Sequence, residues 1–137
     1  LLHRVVRRLR RGVEQELAPH GVTRSQYWCL FRLYHNKADT PSKIGRMANV
    51  DYGAVTRMLD RLEEKKMLVR KAHGEDRRSV RLEITPEGRR MVDLLQPIVA
   101  NWMRKYFSPL NESEKESFAR AMVALIEADS GQNESDM

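Results

Sequence analysis

The chain lacks most of the residue groupings that carry covalent chemistry. It has one cysteine, Cys29. A single cysteine closes no internal disulfide and builds no multi-cysteine zinc site, so a reducing compartment, with cytoplasm as the default, is expected. The four histidines, His3, His20, His35 and His73, show no metal-ligand spacing, so neither a metal nor any other cofactor is expected. There is no nucleophile elbow, no glycine loop able to cradle a phosphate and no carboxylate pair in a plausible cleft. An enzyme is therefore not expected. No run approaches the ~18 apolar residues of a membrane span. The arginine-rich start has no continuous apolar core of the signal-peptide kind, so no membrane partner is expected. Because the first residue is Leu1 rather than methionine, the natural start is expected to lie upstream.

What the chain has is charge, unevenly placed. One domain is the default for 137 residues. The formal charge is +6, from 25 Lys and Arg against 19 Asp and Glu. Residues 43 to 90 hold 13 basic and 8 acidic side chains, a net of +5, whereas residues 111 to 137 hold 2 basic and 7 acidic, a net of −5. A basic middle with an acidic end suits a polyanionic partner for the middle alone, or else a well-solvated surface.

Helical periodicity dominates. Leu2, Val5, Val6, Leu9, Val13 and Leu17 form one apolar stripe, with Arg4, Arg7, Arg8, Arg10 and Arg11 opposite. That stripe needs cover, from the chain's own core or from a partner subunit. Pro19-His20-Gly21 ends it. Thr23 to Gln26 reads as a capping box with Val22 and Tyr27 as its hydrophobic staple, opening a helix through Trp28, Leu30, Phe31 and Tyr34. Thr40-Pro41 opens a short helix with Ile44, Met47 and Ala48 as its expected buried side. Asp51 is placed to cap a helix over 52 to 65, with Val55, Met58, Leu59 and Leu62 inward and Gly53, Thr56, Arg57, Asp60 and Arg61 outward.

A strand from Met67, a turn at His73 to Asp76 and an alternating strand then make a hairpin, with Val80, Leu82 and Ile84 on one face and Arg81 and Glu83 on the other. From Thr85 a long helix is expected to about Phe107, with Met91, Leu94, Leu95, Ile98, Trp102 and Tyr106 inward and a kink at Pro97. Asn111 to Glu114 caps a last helix carrying Phe118, Met122, Leu125 and Ile126, and the chain is expected to fray from Ser130.

Two short helices joined by a tight turn and followed by a two-stranded ribbon make a winged helix-turn-helix. The second helix of such a unit fits the major groove of DNA. Gly53 and Ala54 permit close approach, and Thr56 and Arg57 can reach bases or phosphates. Gly53 also weakens the first turn by up to about 1 kcal/mol, so that turn is expected to order fully on DNA. An arginine at the hairpin tip, Arg77 or Arg78, can enter a narrow minor groove, and Asp76 can hold the Arg78 guanidinium in one orientation.

Residues 2 to 127 resemble the multiple-antibiotic-resistance regulator (MarR) family of bacterial transcription factors. The resemblance is carried by Val55-Thr56-Arg57-Met58-Leu59-Asp60-Arg61-Leu62-Glu63, then Asp76-x-Arg78, then Ile84-Thr85-x-x-Gly88. It implies a mostly α fold: a winged helix-turn-helix with a two-stranded β wing and a helical dimerisation region from both termini. It divides the chain into an N-terminal dimerisation helix (1–20), the DNA-binding region (21–88), C-terminal dimerisation helices (89–130) and a flexible acidic tail (131–137). It implies a homodimer on a pseudo-palindromic double-stranded operator, with repression relieved by a small aromatic or phenolic acid. Gly53, Thr56 and Arg57 fall on groove-reading positions, with Tyr52 and Arg61 beside them; Arg78 falls on the wing arginine, Arg77 next to it, and Asp76 on its brace. The family usually has glycine where this chain has Lys66. A left-handed lysine there costs roughly 1 kcal/mol, so a slightly different helix end is expected.

Three further readings stay open. Tyr27, Trp28, Phe31 and Tyr34 are core residues or line an effector pocket against the first helix, where Arg7 or Arg11 would pair with a carboxylate. Cys29, between Trp28 and Leu30, is a small core residue or an oxidant-sensing thiol, since some relatives sense oxidants. The whole unit could also be a protein-interaction module whose basic wing meets an acidic protein rather than DNA.

Overall fold

The computed structural model describes residues 1–48, 51–72 and 80–135, with side chains as far as Asp129. Among the described residues six helices and two paired strands follow in the order α1 (Leu2–Leu17), α2 (Arg24–Tyr34), α3 (Pro41–Ala48), α4 (Tyr52–Glu64), β1 (Leu68–Ala72), β2 (Val80–Ile84), α5 (Pro86–Tyr106) and α6 (Glu112–Ser135), with a 3₁₀ turn at Ala18–His20. Two compact units divide after Trp102.

The caps are local devices and form as their spacing predicts. The Thr23 hydroxyl accepts from the Gln26 N–H at 3.1 Å, and Gln26 Oε1 accepts from the Thr23 N–H at 3.2 Å. Gln26 is buried yet satisfied, because Lys65 Nζ at the end of α4 also donates to its Oε1 at 3.0 Å and to the Gly21 carbonyl at 2.5 Å. Asp51 caps α4, its Oδ1 accepting from the Ala54 N–H at 2.8 Å. Asn111 and Glu114 exchange side chain-to-backbone bonds of 2.9 and 3.0 Å at the start of α6.

In the first unit α2 packs against α4 and β2, and α3 against α4 and β2. Leu30, Leu33, Ile44, Val55, Leu59, Leu62, Leu68 and Leu82 are buried there. Of the expected buried side of α3 only Ile44 is covered; Met47 is 47% exposed and Ala48 is exposed as well. The helix is only two turns long, so a single residue reaches the core while the rest of its apolar side faces out.

The hairpin is antiparallel, with Leu68 opposite Ile84 and Ala72 opposite Val80. Leu82 points inward and Arg81 and Glu83 outward, as the alternation requires. The Leu82 N–H donates to the Asp39 carbonyl at 2.8 Å, tying the approach to α3 to the wing. Asp39 also holds Lys43 at 2.9 Å and Arg81 at 3.6 Å. The Lys43 hydrogen bond, with both cations adding to it, keeps its carboxyl below the usual range.

The end of α4 keeps the left-handed backbone, contrary to the expected change. Lys66 has φ 60°; its N–H bonds the Glu63 carbonyl at 2.9 Å and the Met67 N–H bonds the Leu62 carbonyl at 3.0 Å, the paired bonds of a Schellman turn. Tertiary contacts over-determine that conformation. The Thr85 hydroxyl donates to the Lys66 carbonyl at 2.6 Å and the Thr85 N–H to the Met67 carbonyl at 3.0 Å, while the same hydroxyl accepts from the Gly88 N–H at 3.1 Å. A Cβ on Gly88 would lie 2.1 Å from the Met67 carbonyl oxygen. Ile84-Thr85-x-x-Gly88 is thus a structural joint between the wing and α5.

Helix α5 continues without a break across the exposed Pro97. Its buried residues are Gly88, Val92, Leu95 and Val99, of which Leu95 belongs to the expected set. Met91, Ile98, Trp102 and Tyr106 are half-buried and Leu94 is 49% exposed. Both sides of this helix are apolar, so the periodicity alone selects the wrong edge. On α1, a Cβ on Gly12 would lie 1.7 Å from the Trp102 ring, which is why a glycine stands at this crossing with α5.

In the second unit Phe107 packs edge-on to Tyr106 (5.3 Å between ring centroids) and lies 6.1 Å from Phe118. Helix α6 runs to Ser135, past the expected fraying point at Ser130. Met122, Val123, Leu125 and Ile126 are between 41% and 69% exposed.

Candidate nucleic-acid interface

The sequence singled out one face of α4, and the helix presents it. Tyr52, at the first turn, is 74% exposed. Arg57 and Arg61, one turn apart, are exposed and make no ion pair among the described residues. Thr56 is half-buried and its hydroxyl donates to the Tyr52 carbonyl at 3.0 Å, leaving its lone pairs for an incoming donor. The helix begins at Tyr52, with Gly53 in its first turn. Gly53 has a second use that spacing did not reveal. A Cβ there would sit 3.3 Å from both Arg57 Nη1 and Asp51 Oδ1, so the missing side chain makes room for the guanidinium beside the cap.

This arrangement is a convex, cationic helix with a small first turn, backed by its own buried stripe. It holds hydrogen-bond donors outward, which is the shape a wide groove accepts. Among the described residues no group of His, Cys, Asp and Glu could hold a metal ion, and no helix is long and apolar enough to cross a membrane.

Residues 22–80 match the MarR family. The HTH-type transcriptional regulator MhqR of Bacillus subtilis is 32% identical over 117 residues, 85% of this chain and 80% of that protein. The chain belongs to the MarR family. It is a winged-helix transcriptional regulator. Among solved structures, a cysteine-to-serine mutant of E. coli MarR complexed with operator DNA superposes with a TM-score of 0.82 at 26% identity, covering 91% of this chain and 90% of that one. The S. aureus MepR–DNA complex shares the fold, with a TM-score of 0.84 at 22% identity over 93% and 95% of the two chains.

Other residues named from the sequence are placed differently. Asp76, Arg77 and Arg78 lie outside the described residues. Tyr27 is buried, and Trp28 and Phe31 are half-buried in a mutual stack with centroids 5.3 to 6.0 Å apart that continues to His35. Arg7 and Arg11 are exposed on α1. Arg11 lines a hollow of about 200 Å³ with Arg8, Gly12, Gln15 and Trp102, away from the α2 aromatics. Tyr27, Trp28, Phe31 and Arg7 do not line that hollow. Cys29 is 1% exposed, and burial pushes its thiol up to about 12 against a weaker opposing pull from Arg32. A thiol so held is protonated at neutral pH and lacks the thiolate that an oxidant sensor needs.

One constellation escaped the sequence reading. Arg70 on β1 contacts both Asp60 and Glu63 of α4. Those residues are distant in spacing and only the hairpin's return brings them together.

Proposed function

We propose that two copies of this MarR-family regulator assemble through their terminal helices and bind a pseudo-palindromic double-stranded operator, repressing transcription until a small aromatic or phenolic acid loosens the complex. In each copy Tyr52, Gly53, Thr56, Arg57 and Arg61 meet the major groove. Arg77 and Arg78, the latter braced by Asp76, meet the adjacent minor groove. The observation that carries this reading is the pair of exposed arginines Arg57 and Arg61 on α4, which make no ion pair among the described residues. The likeness to the E. coli MarR mutant on operator DNA supports it. Both half-sites must be engaged together, so a small change in the spacing of the two α4 helices loses much of the combined affinity. The effector anion is assigned to the α1 side, where Arg8 and Arg11 flank Trp102.

The experiment is a titration of a selected duplex against wild type and Arg57→Ala, by fluorescence anisotropy at several salt concentrations. Arg57→Ala is expected to weaken specific binding by about 1–3 kcal/mol and to relax sequence preference. Wild-type affinity should fall steeply on a log–log salt plot. Equal affinities, or a flat plot, would refute the assignment and favour an acidic protein as the partner of the basic region.

A further inference from the structure

Three carboxylates, Asp60, Glu63 and Glu64, stand on the DNA-reading helix with its arginines. Asp60 and Glu63 are three residues apart on α4 and share a face. Left free beside a duplex, they would repel its phosphates. Instead both turn onto Arg70, the third residue of β1. Its Nε donates to Glu63 Oε2 at 2.9 Å, its Nη2 to Asp60 Oδ1, and its backbone N–H to Glu63 Oε1 at 3.4 Å. The Arg70 side chain is 27% exposed, against 53% for Asp60 and 40% for Glu63. The hydrogen bond to Asp60 in particular, with Glu63 adding to it, holds the guanidinium firmly in its charged form against the cost of desolvation.

The position of this bracket matters. Only Lys65, Lys66 and Met67 separate α4 from β1, and the chain reverses at Lys66. Met67 and Leu68 are buried there. Arg70 lies two residues beyond Leu68 on the same face of β1, opposite Leu82, and from there its fork reaches back to α4. A planar guanidinium can bridge two carboxylates at once, whereas an ammonium is a single point charge.

We propose that Arg70 is a positioning residue that locks the wing to the recognition helix, so that DNA meets the two as one rigid body. The inference rests on the reading that Arg57 and Arg78 reach the duplex. A wing held in place in advance loses less freedom on contact, so its arginine contributes more to affinity.

The test measures the cost of Arg78→Ala in three backgrounds: wild type, Arg70→Lys, and the Asp60→Asn/Glu63→Gln pair. Affinity for operator duplex is read by anisotropy and folding by thermal melting. In wild type Arg78→Ala should weaken binding about tenfold or more. In both bracket-broken backgrounds the same change should cost only about two- to threefold. The amide pair matters because it removes two negative charges; general electrostatics alone would tighten its binding and leave the Arg78 factor untouched. It also stands in should Arg70→Lys fail to fold. An unchanged Arg78 factor across all three backgrounds would overturn the positioning role while leaving the operator reading intact. No effect of Arg78→Ala in wild type would overturn both.

Discussion

The winged-helix region and the terminal helices solve the same problem differently. Between α2 and β2, Leu30, Val55, Leu59, Leu62 and Leu82 are at most 3% exposed, covered by the chain itself. On α1 and α6, Leu2, Leu125 and Ile126 are between 65% and 69% exposed. An apolar side chain gains about 1.5–3 kcal/mol when fully buried, so burial by its own chain stabilises the first region, whereas these side chains of α1 and of α6 gain little of it. Among the described residues of the covered region, the large apolar side chains left out are Met47 and Tyr52, at the helix-turn-helix elbow that is assigned to DNA. On the proposed function, this exposure is what a second copy would cover at the terminal helices and a duplex would meet at the elbow.

That contrast can be broken most severely at α6. Replacing Leu125 and Ile126 together by glutamate should abolish the dimer, a loss of at least about 4 kcal/mol. Sedimentation velocity would show it, and the winged-helix region should remain folded by circular dichroism. An unshifted dimer would mean that this face is not the interface.

Inside the covered region the expected effects are smaller and independent of protein concentration. Gly88→Ala drives a Cβ at the Met67 carbonyl and should destabilise by about 1–3 kcal/mol in urea unfolding. Neutral behaviour would show that α5 can back away from the wing without cost. Lys66→Gly relieves the left-handed strain at φ 60° and should stabilise by about 1 kcal/mol, provided the added freedom of the unfolded chain does not offset it. A loss of stability would show that the lysine side chain contributes more than its backbone costs.

Cys29 supplies the smallest effect and a pH signature. Its folded thiol is raised to about 12, above the ordinary value of about 8.5 expected when unfolded. The stability linked to it is therefore fully present below the unfolded value and is lost as pH rises from there toward the folded one. Cys29→Ala should flatten this alkaline decline, and native wild type should resist alkylation at pH 8. Rapid alkylation in the native state would return the redox reading to consideration.

Features set by neighbours in the chain could be read from the sequence, and those set by the return of a distant element could not. The caps at Thr23, Asp51 and Asn111 need only a side chain and an amide three residues on, so spacing alone locates them. The outward face of α4 follows from its buried stripe. Val92 and Val99 displaced Leu94 on α5 because that helix is apolar on two sides and its packing chose between them. Lys66 kept a backbone that its own side chain disfavours because Thr85 pins both neighbouring carbonyls. The Arg70 bracket depends on strand register, and the room Gly53 leaves for Arg57 depends on a side-chain path; neither has a linear signature.

The most direct measurement is hydroxyl-radical footprinting of the protein on a duplex selected from a random pool. The account predicts two equivalent protected patches related by a two-fold axis, their centres about 10 base pairs apart or a multiple of that, with both patches lost together in Arg57→Ala. A single patch, or protection unchanged by that substitution, would contradict it.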